Sequence, residues 1–451
     1  MGHVTRMSLT ASIGLMALFA VDFIDMLFIA SLGNDALAAA VGYAGTLLFF
    51  TNSINIGLSI AAGSLVSRAI GAGDTDHARE YATNVAIAAI IVGIAIPALV
   101  ILNMDALLSL LGASGEAAAL AKSYLMIIVP TMSVVGLAMT SMAILRSHGD
   151  ARRPMIATLI GGCVNAALDP IFIFVLDMGL DGAAVASVMA RFSMLAAAMI
   201  PAIKVYNGFI KPSLEASMRD FTAVAAIASP AVLTNIATPI GTAVVTREMA
   251  RFGSDAVAGM AIIGRLTPVA FAVVFALSGA VGPIIGQNYG ADQYQRVKDA
   301  FFASMKFMGL YVLCITAALF LLRTPIANVF EAEGSTRILL FLFCGPLALS
   351  FAFSGAQFVS NAAFNNLGHP MYSTWLNWGK NTIGTWPLVI LGALWFGPAG
   401  VLIGQAIGTV VFGIVALLLA QKVMNDPKDP LHWKAFWSHR QMHSVTCRRN
   451  W

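Results

Sequence analysis

Long apolar runs recur along the whole chain and limit the folds that it can adopt. Twelve runs are long enough to cross a bilayer, whose hydrocarbon core takes about 20 residues of apolar helix. They lie near 10–31, 44–67, 82–102, 119–144, 155–176, 183–203, 222–246, 257–285, 301–322, 338–363, 371–396 and 399–421. Only 11% of the residues are charged, against about 25% in a soluble protein. The sequence therefore predicts a polytopic membrane protein.

The length of these runs decides between the two structures that satisfy all backbone hydrogen bonds in lipid, which are helices and closed β-barrels. Barrel strands are about ten residues long and alternate in polarity. The runs are about twice that length and apolar on every side, so we expect an all-α protein with twelve transmembrane helices. Prolines inside the runs predict bends, at Pro97, Pro130, Pro170, Pro239, Pro268, Pro346 and Pro387.

The positions of the basic residues predict the orientation, because cytoplasmic loops are enriched in Lys and Arg. With the amino terminus inside, most of the 26 Lys and Arg residues fall on the inner side. We therefore expect a multi-pass protein of the cell's inner (plasma) membrane with both termini in the cytoplasm, including a basic tail at 422–451. The basic residues form no single patch, so no nucleic acid partner is expected.

The two halves of the chain repeat each other. Gly71 and Gly290 each precede an alanine and lie 219 residues apart, and the same spacing separates Gly149 from Gly368. Each half has six spans, so the halves share one orientation and form a parallel repeat. In transporters such repeats relate by an axis along the membrane normal, and substrate sites lie near mid-bilayer. The predicted lobes are residues 1–210 and 211–421.

Acidic residues inside a span cost about 2.5–3.5 kcal/mol each on insertion scales and indicate function. Asp22 and Asp25 lie three residues apart in the first run and share a helix face. Asp169 lies in the fifth run, four residues after Asn165. Two close carboxylates in an apolar site cannot both stay ionised, so such a cluster can take up a proton. Alternatively, its oxygens can bind Na⁺, or Asp22 can simply face the lipid headgroups.

The second half carries amides and a lysine in its spans instead of acids. Among them, Gln357, Asn361, Asn377 and Lys380 are candidates to line a substrate cavity, although amides in membranes also join helices. The chain contains no Gly-rich phosphate loop, no nucleophile–base pair and no set of metal ligands, which argues against an enzyme and against direct use of ATP. We expect no cofactor, with H⁺ or Na⁺ as the coupling ion.

Several motifs resemble those of the multidrug and toxic compound extrusion (MATE) family. They occur in order over nearly the whole chain, and each alone is weak, whereas the set is specific. The motifs are residues 24–33 (IDMLFIASLG), 65–73 (LVSRAIGAG), 165–170 (NAALDP), 286–291 (GQNYGA) and 364–370 (FNNLGHP).

The resemblance implies two six-helix lobes that form a V around a central cavity. It also implies export of cationic or amphipathic compounds by a monomer in exchange for H⁺ or Na⁺. Asp25, Asp169 and Asn165 match the family's cation site in the amino-terminal lobe, where Na⁺ is the alternative to a proton. Tyr124 falls where that site often has Tyr, and Ser187 stands where the family often has Thr. Asp22 is additional.

Departures from the family pattern refine these expectations. The seventh and tenth spans lack the acids that some members carry there, which favours the DinF-like branch with coupling in the amino-terminal lobe. One alternative is a lipid-linked-sugar flippase or polysaccharide exporter of the same superfamily. That function needs several intramembrane cations, for which Lys380 is the chief candidate, with Arg191 and Arg265 nearer the span ends. A scaffold or sensor, indifferent to the acids, is the other alternative.

Overall fold

The computed structural model describes residues 2–31 and 35–425, and none of these residues forms a β-strand. The amino-terminal half contains α1 (Gly2–Ser31), α2 (Asp35–Gly71), α3 (Thr75–Leu102), α4 (Met104–Leu110), α5 (Gly115–Ile128), α6 (Met132–Ser147), α7 (Arg152–Pro170) and α8 (Gly179–Lys204). The carboxy-terminal half contains α9 (Leu214–Ala250), α10 (Ser254–Ala270), α11 (Ala272–Gly290), α12 (Tyr294–Val329), α13 (Gly334–Phe343), α14 (Phe351–Leu367), α15 (Pro370–Asn381) and α16 (Trp386–Asn425).

The helices account for the twelve predicted membrane crossings. Eleven stretches of the described chain are long and apolar enough to cross a bilayer. The last of them, Pro370–Asn425, holds two crossings, because the backbone at Gly397 leaves the helical region with a φ of 59°. The prediction of an all-α protein with twelve transmembrane helices is therefore confirmed.

Three of the predicted proline bends are visible as breaks in the helices. Proline lacks a backbone N–H and its ring clashes with the preceding turn, so it interrupts a helix. Pro130 lies in a 3₁₀ turn between α5 and α6, and Pro346 begins another between α13 and α14. Pro170 ends α7 and is followed by the π-helical turn Ile171–Val175. Pro97 and Pro239, in contrast, lie within continuous helices.

The two halves meet closely where α2 and α11 end. A Cβ atom added to Gly71 would lie 2.0 Å from the carbonyl oxygen of Gln287, and one added to Gly290 would lie 2.0 Å from that of Arg68. Arg68 and Gln287 are 219 residues apart, as are Gly71 and Gly290, so the same contact is made twice around a pseudo-two-fold axis. Because glycine has no side chain, the two backbones can touch at these positions.

Hydrogen bonds between the halves reinforce this closed end. The Ser64 hydroxyl and Nη2 of Arg68 both donate to the carbonyl oxygen of Asn365, each at 2.8 Å. Nε2 of Gln287 donates to the carbonyl oxygen of Ser147 at 2.5 Å. The bonds link α2 to α14 and α11 to α6, so both halves contribute donors and acceptors to the closure.

Toward the opposite end of the bundle, α2 and α10, the helix that precedes α11, make no such contact. Gly45 of α2 and Gly264 of α10 are again 219 residues apart, yet a Cβ atom on either would meet no atom within 4 Å. Thr46 and Phe49, which follow Gly45 on α2, are exposed. Contact at one end and separation at the other produce the V-shaped arrangement that the motifs predicted.

Paired cysteines can test this geometry. A Cβ atom on residue 286 would lie 3.1 Å from the Cβ atom of Ser67, close to the 3.5–4.5 Å that a disulfide needs. In a background without the native cysteines, we expect Ser67→Cys with Gly286→Cys to form a cross-link, measured by a gel shift on mild oxidation. The matched pair Gly45→Cys with Gly264→Cys, at the open end, should stay reduced. Cross-linking of the second pair alone would contradict the described arrangement.

Candidate functional site

Helices α1 and α7 pack side by side and run parallel, in the same amino-to-carboxy direction. A Cβ atom on Gly14 would lie 3.4 Å from the Cα atom of Met155. Seven residues further along each helix, a Cβ atom on Gly162 would lie 3.1 Å from Cγ2 of Val21. The ring of Phe28 also makes an edge-to-face contact with the ring of Phe174, in the turn that follows α7, at a centroid distance of 5.8 Å. The first two contacts share an offset of 141 residues, which sets the register of α1 against α7.

This register brings residue 25 of the first span to within about one turn of the acid of α7. Residue 25 on α1 lies level with residue 166 on α7, beside Asn165 and about one turn before Asp169. The side chains of Asp22 and Asp25 lie outside the described residues. The predicted cluster of Asp22, Asp25 and Asp169 stays a prediction, supported by the backbone register alone.

The Asp169 carboxylate is fully buried, and Asn165 lies against it. Nδ2 of Asn165 donates to both carboxylate oxygens of Asp169, at 3.2 Å each. Asp169 directly precedes Pro170 and the π-helical turn, a type of turn that occurs often at functional sites. The missing N–H of Pro170 also leaves the carbonyl group of the preceding turn without its helical partner. The end of α7 thus gathers carboxylate, amide and carbonyl oxygens, which are ligands suited to a proton or a hard cation.

Tyr124 and Ser187 lie on the neighbouring pair of helices, α5 and α8. Both side chains are partly buried, and Tyr124 packs against the apolar cluster that α2 and α5 share. The hydroxyl of Ser123 donates to both carboxylate oxygens of Asp181, at 2.8 and 2.9 Å, and so ties α5 to the start of α8. The two predicted site residues are thus placed by the α5–α8 pair rather than by the α1–α7 pair.

Arg191 is a membrane-embedded cation whose role the sequence did not reveal. It lies near the middle of α8 and not near the span end as expected. Its Nη1 donates to the carbonyl oxygen of Ile128 at 3.1 Å and to the hydroxyl of Thr131 at 2.7 Å. These groups flank the break at Pro130, where the helical hydrogen bonds of α5 end and the Thr131 hydroxyl also donates to the Ile128 carbonyl at 2.7 Å. The sequence did contain a signal for this contact: an arginine inside one apolar run, Arg191, and a proline inside another, Pro130.

The amides of the carboxy-terminal half divide into two kinds. Nδ2 of Asn377 donates to the carbonyl oxygen of Ser373 on its own helix at 2.7 Å, so Asn377 is bound within α15. Gln357 is only 1% exposed, yet neither of its amide atoms has a hydrogen-bond partner among the described residues. Oδ1 of Asn361 is likewise buried and unpaired there. Buried polar atoms are normally satisfied, so Gln357 and Asn361 indicate room for water or a ligand.

Lys380 is partly buried on α15, about one helical turn after Asn377. Within residues 2–31 and 35–425, its ammonium group makes no hydrogen bond and no ion pair. The backbone carbonyl of Lys380 accepts a bond of 2.8 Å from the hydroxyl of Thr385. The predicted substrate cavity of Gln357, Asn361, Asn377 and Lys380 stays a prediction, with Asn377 engaged in its own helix.

One cluster outside these sites has the composition of a metal site. Potential ligand atoms of His77, Glu80 and Asp220 lie within 4.8 Å of one another. Arg219 pairs with both carboxylates, at 2.9 Å for Asp220 and in close contact with Glu80. Nδ2 of Asn84 also donates to Asp220 at 2.8 Å. Arg219 balances part of the negative charge, and its ion pair with Glu80 joins α3 to α9.

Comparison with known proteins agrees with the fold. The profile of the MatE family matches residues 11–171 and 230–386, which is more than half of the chain. A chain of twelve membrane-crossing helices with this match is a membrane transporter and not an enzyme. It belongs to the MatE family, the multidrug and toxic compound extrusion transporters, which confirms the resemblance noted in its motifs.

Individual relatives extend over nearly the full length. The chain is 28% identical over 429 residues to the "FAD transporter" of Shewanella oneidensis, covering 94% of this chain and 95% of that protein. It is 24% identical to the "Multidrug export protein MepA" of Staphylococcus aureus, covering 91% of each. A crystal structure of a mutant of the Vibrio cholerae MATE transporter VcmN has a TM-score of 0.89 at 25% identity, covering 96% of this chain and 98% of that one.

The contacts of Arg191 lead to a stability prediction. Replacement by methionine keeps an apolar stem of similar length but removes two charge-assisted hydrogen bonds at the α5–α6 break. We expect Arg191→Met to lower the free energy of unfolding by about 1.5–3 kcal/mol, measured by thermal unfolding of the purified protein. Ser193→Ala is the control and should melt like the wild type, because the Ser193 hydroxyl donates only to the Met189 carbonyl of its own helix. A normal melting temperature with lost transport would instead place Arg191 in substrate or ion handling.

Proposed function

We propose that this protein is a secondary antiporter of the inner membrane. It exports cationic or amphipathic compounds in exchange for protons, with Na⁺ as the alternative coupling ion and Asp25, Asp169 and Asn165 as the ion site. The observation that carries the proposal is the fully buried Asp169 carboxylate, which Asn165 contacts beside the level of residue 25 on α1. Burial makes an ionised carboxylate costly to maintain, so the site favours uptake of a proton or another positive ion.

Helix α1 offers a physical route from the ion site to the rest of the bundle. It packs against α7 on one side and against α11 of the other half on the other. Near its start, Val4 belongs to the same apolar cluster as many residues of the carboxy-terminal half. An ion that binds between α1 and α7 therefore acts on a helix that also contacts the opposite lobe. Such a helix can transmit a change of ion occupancy to the closure between lobes.

The proposal includes an orientation. The closed end around Gly71 and Gly290 carries the short loops rich in Lys and Arg, so we assign it to the cytoplasm. The described state then opens to the outside, and the lobes are residues 1–210 and 211–421. The basic tail, 422–451, extends into the cytoplasm, although all but its first four residues lie outside the described part. We propose that the transporter works as a monomer.

A flavin dinucleotide is a second candidate for the substrate. The relative named as a FAD transporter matches this chain over 429 residues, which is slightly more of the chain than the multidrug exporter MepA covers. FAD is amphipathic, with a planar apolar ring system at one end and a charged pyrophosphate in the middle. It thus fits the amphipathic class without requiring a cationic compound.

Transport in proteoliposomes tests the coupling. Efflux of ethidium would be measured with a pH gradient or a Na⁺ gradient imposed separately, for the wild type, Asp25→Asn and Asp169→Asn. We expect the pH gradient alone to drive efflux and both substitutions to abolish it, because an amide cannot carry the proton. Asp105→Asn is the control, since Asp105 is exposed and paired with Lys122 far from α7.

The other outcomes separate the alternatives. Efflux driven by Na⁺ alone would keep the site and change the ion. Gradient-driven efflux that survives in both Asp25→Asn and Asp169→Asn would overturn the proposed coupling site. No gradient-driven movement of either ethidium or FAD would argue for a narrower natural substrate or for the flippase alternative.

A further inference from the structure

A cavity of about 80 Å³ lies between the two halves, directly beside the closed end. Helices α2 and α6 line it from one half, and α11 and α14 line it from the other. Its lining residues are Ser59, Ile60, Gly63, Ser64, Ala143, Arg146, Ser278, Gly279, Gly282, Pro283, Ala362, Asn365 and Asn366. A complete drug-like ligand occupies about 300–1,000 Å³, so this cavity can receive only one chemical group of a larger molecule.

Arg146 gives this cavity a positive charge that no residue of the described chain neutralises. Among residues 2–31 and 35–425, the Arg146 guanidinium makes no hydrogen bond and no ion pair, and no Asp or Glu lines the cavity. The other buried arginine nearby, Arg68, donates to the Asn365 carbonyl and stacks over Tyr289. A partly buried cation that lines a cavity without an anion is unfavourable, so Arg146 favours a negatively charged occupant.

The remaining lining supplies hydrogen-bond donors and space. The hydroxyl of Ser278 makes no hydrogen bond among the described residues, and the amide nitrogen of Asn365 donates none there either. A Cβ atom on Gly279 would meet nothing within 4 Å, so the wall beside Ser278 is open. A guanidinium with neutral N–H and O–H donors around it is the arrangement that binds phosphate and similar oxyanions.

We propose that this cavity binds a phosphate group of the transported molecule, with Arg146 as its counter-charge. The inference rests on the proposed function as a small-molecule exporter and adds a substrate class: amphipathic compounds that carry phosphate, of which a dinucleotide is an example. The phosphate contacts Arg146 from the amino-terminal half and Ser278 and Asn365 from the other half. The apolar remainder of the substrate extends from the cavity toward the open end of the V.

Ligand binding without any gradient tests this site separately from coupling. The full-length protein would be placed in nanodiscs of phosphatidylcholine, and the affinities for FAD, inorganic pyrophosphate and ethidium would be measured for the wild type and Arg146→Gln. We expect both phosphate ligands to weaken about tenfold or more relative to ethidium, because a charge-assisted pair is lost. Arg146→Lys, which keeps the charge but not the planar fork, should lose less.

Arg152→Gln is the matched control, because it removes a positive charge from an exposed position six residues further along and at the same membrane end. It should bind all three ligands like the wild type. Equal affinities for FAD in Arg146→Gln and Arg152→Gln would overturn the proposal. So would an equal loss of FAD and ethidium binding, which would indicate a general effect on structure.

Two further results are informative. Displacement of FAD by added phosphatidylglycerol, with no binding of pyrophosphate, would identify a lipid headgroup as the occupant and overturn the proposal. Binding of FAD and pyrophosphate that depends on Arg146 would support the site even if no gradient drives transport. Failure of the antiport proposal is thus distinguishable from failure of the phosphate site.

Discussion

Direct contact between the backbones of α2 and α11 is the constraint on which the rest of the structure depends. Gly71 and Gly290 lie against the carbonyl groups of Gln287 and Arg68, and no larger residue fits there. The contact joins the lobes at one end, sets the pseudo-two-fold axis and leaves the opposite ends of α2 and α10 apart. A cleft that is closed at one end is what an alternating-access transporter requires. Two glycines, separated by one repeat, therefore determine the geometry of the whole bundle.

The buried acid Asp169 and the cation Arg146 lie in different parts of the helix bundle. The buried carboxylate of Asp169 lies inside the amino-terminal half, beside the helix that also contacts the other lobe. The positive charge of Arg146 lies between the halves, at the base of the cleft. An antiporter that couples ion entry to export of a negatively charged group needs these charges apart, since direct pairing would neutralise both. The bundle keeps them on separate helices, α7 and α6.

Much of this arrangement was predictable, for identifiable reasons. The number and type of the membrane crossings follow from apolar runs that each span the bilayer, as one helix or as two joined at a break. The breaks at Pro130, Pro170 and Pro346 follow from the missing N–H of proline. The pairing of Asn165 with Asp169 follows from a spacing of four on one helix. Such inferences succeed because they use neighbours along the chain. The expected position of Arg191 near a span end was wrong, because helix α8 begins earlier than the apolar run suggested.

The sequence by itself determined the all-helical class, the internal repeat, the family and the identity of the acids in the spans. These properties depend on local hydrophobicity and on motifs, which a single chain displays directly. Only the tertiary structure decided which end of the bundle is closed, that Arg191 binds the carbonyl group at the α5–α6 break and that Arg146 faces a cavity without an acid. Each of these depends on helices that are distant in sequence. The partner of a buried polar group is therefore determined by how the helices pack, and residue spacing along the chain does not reveal it.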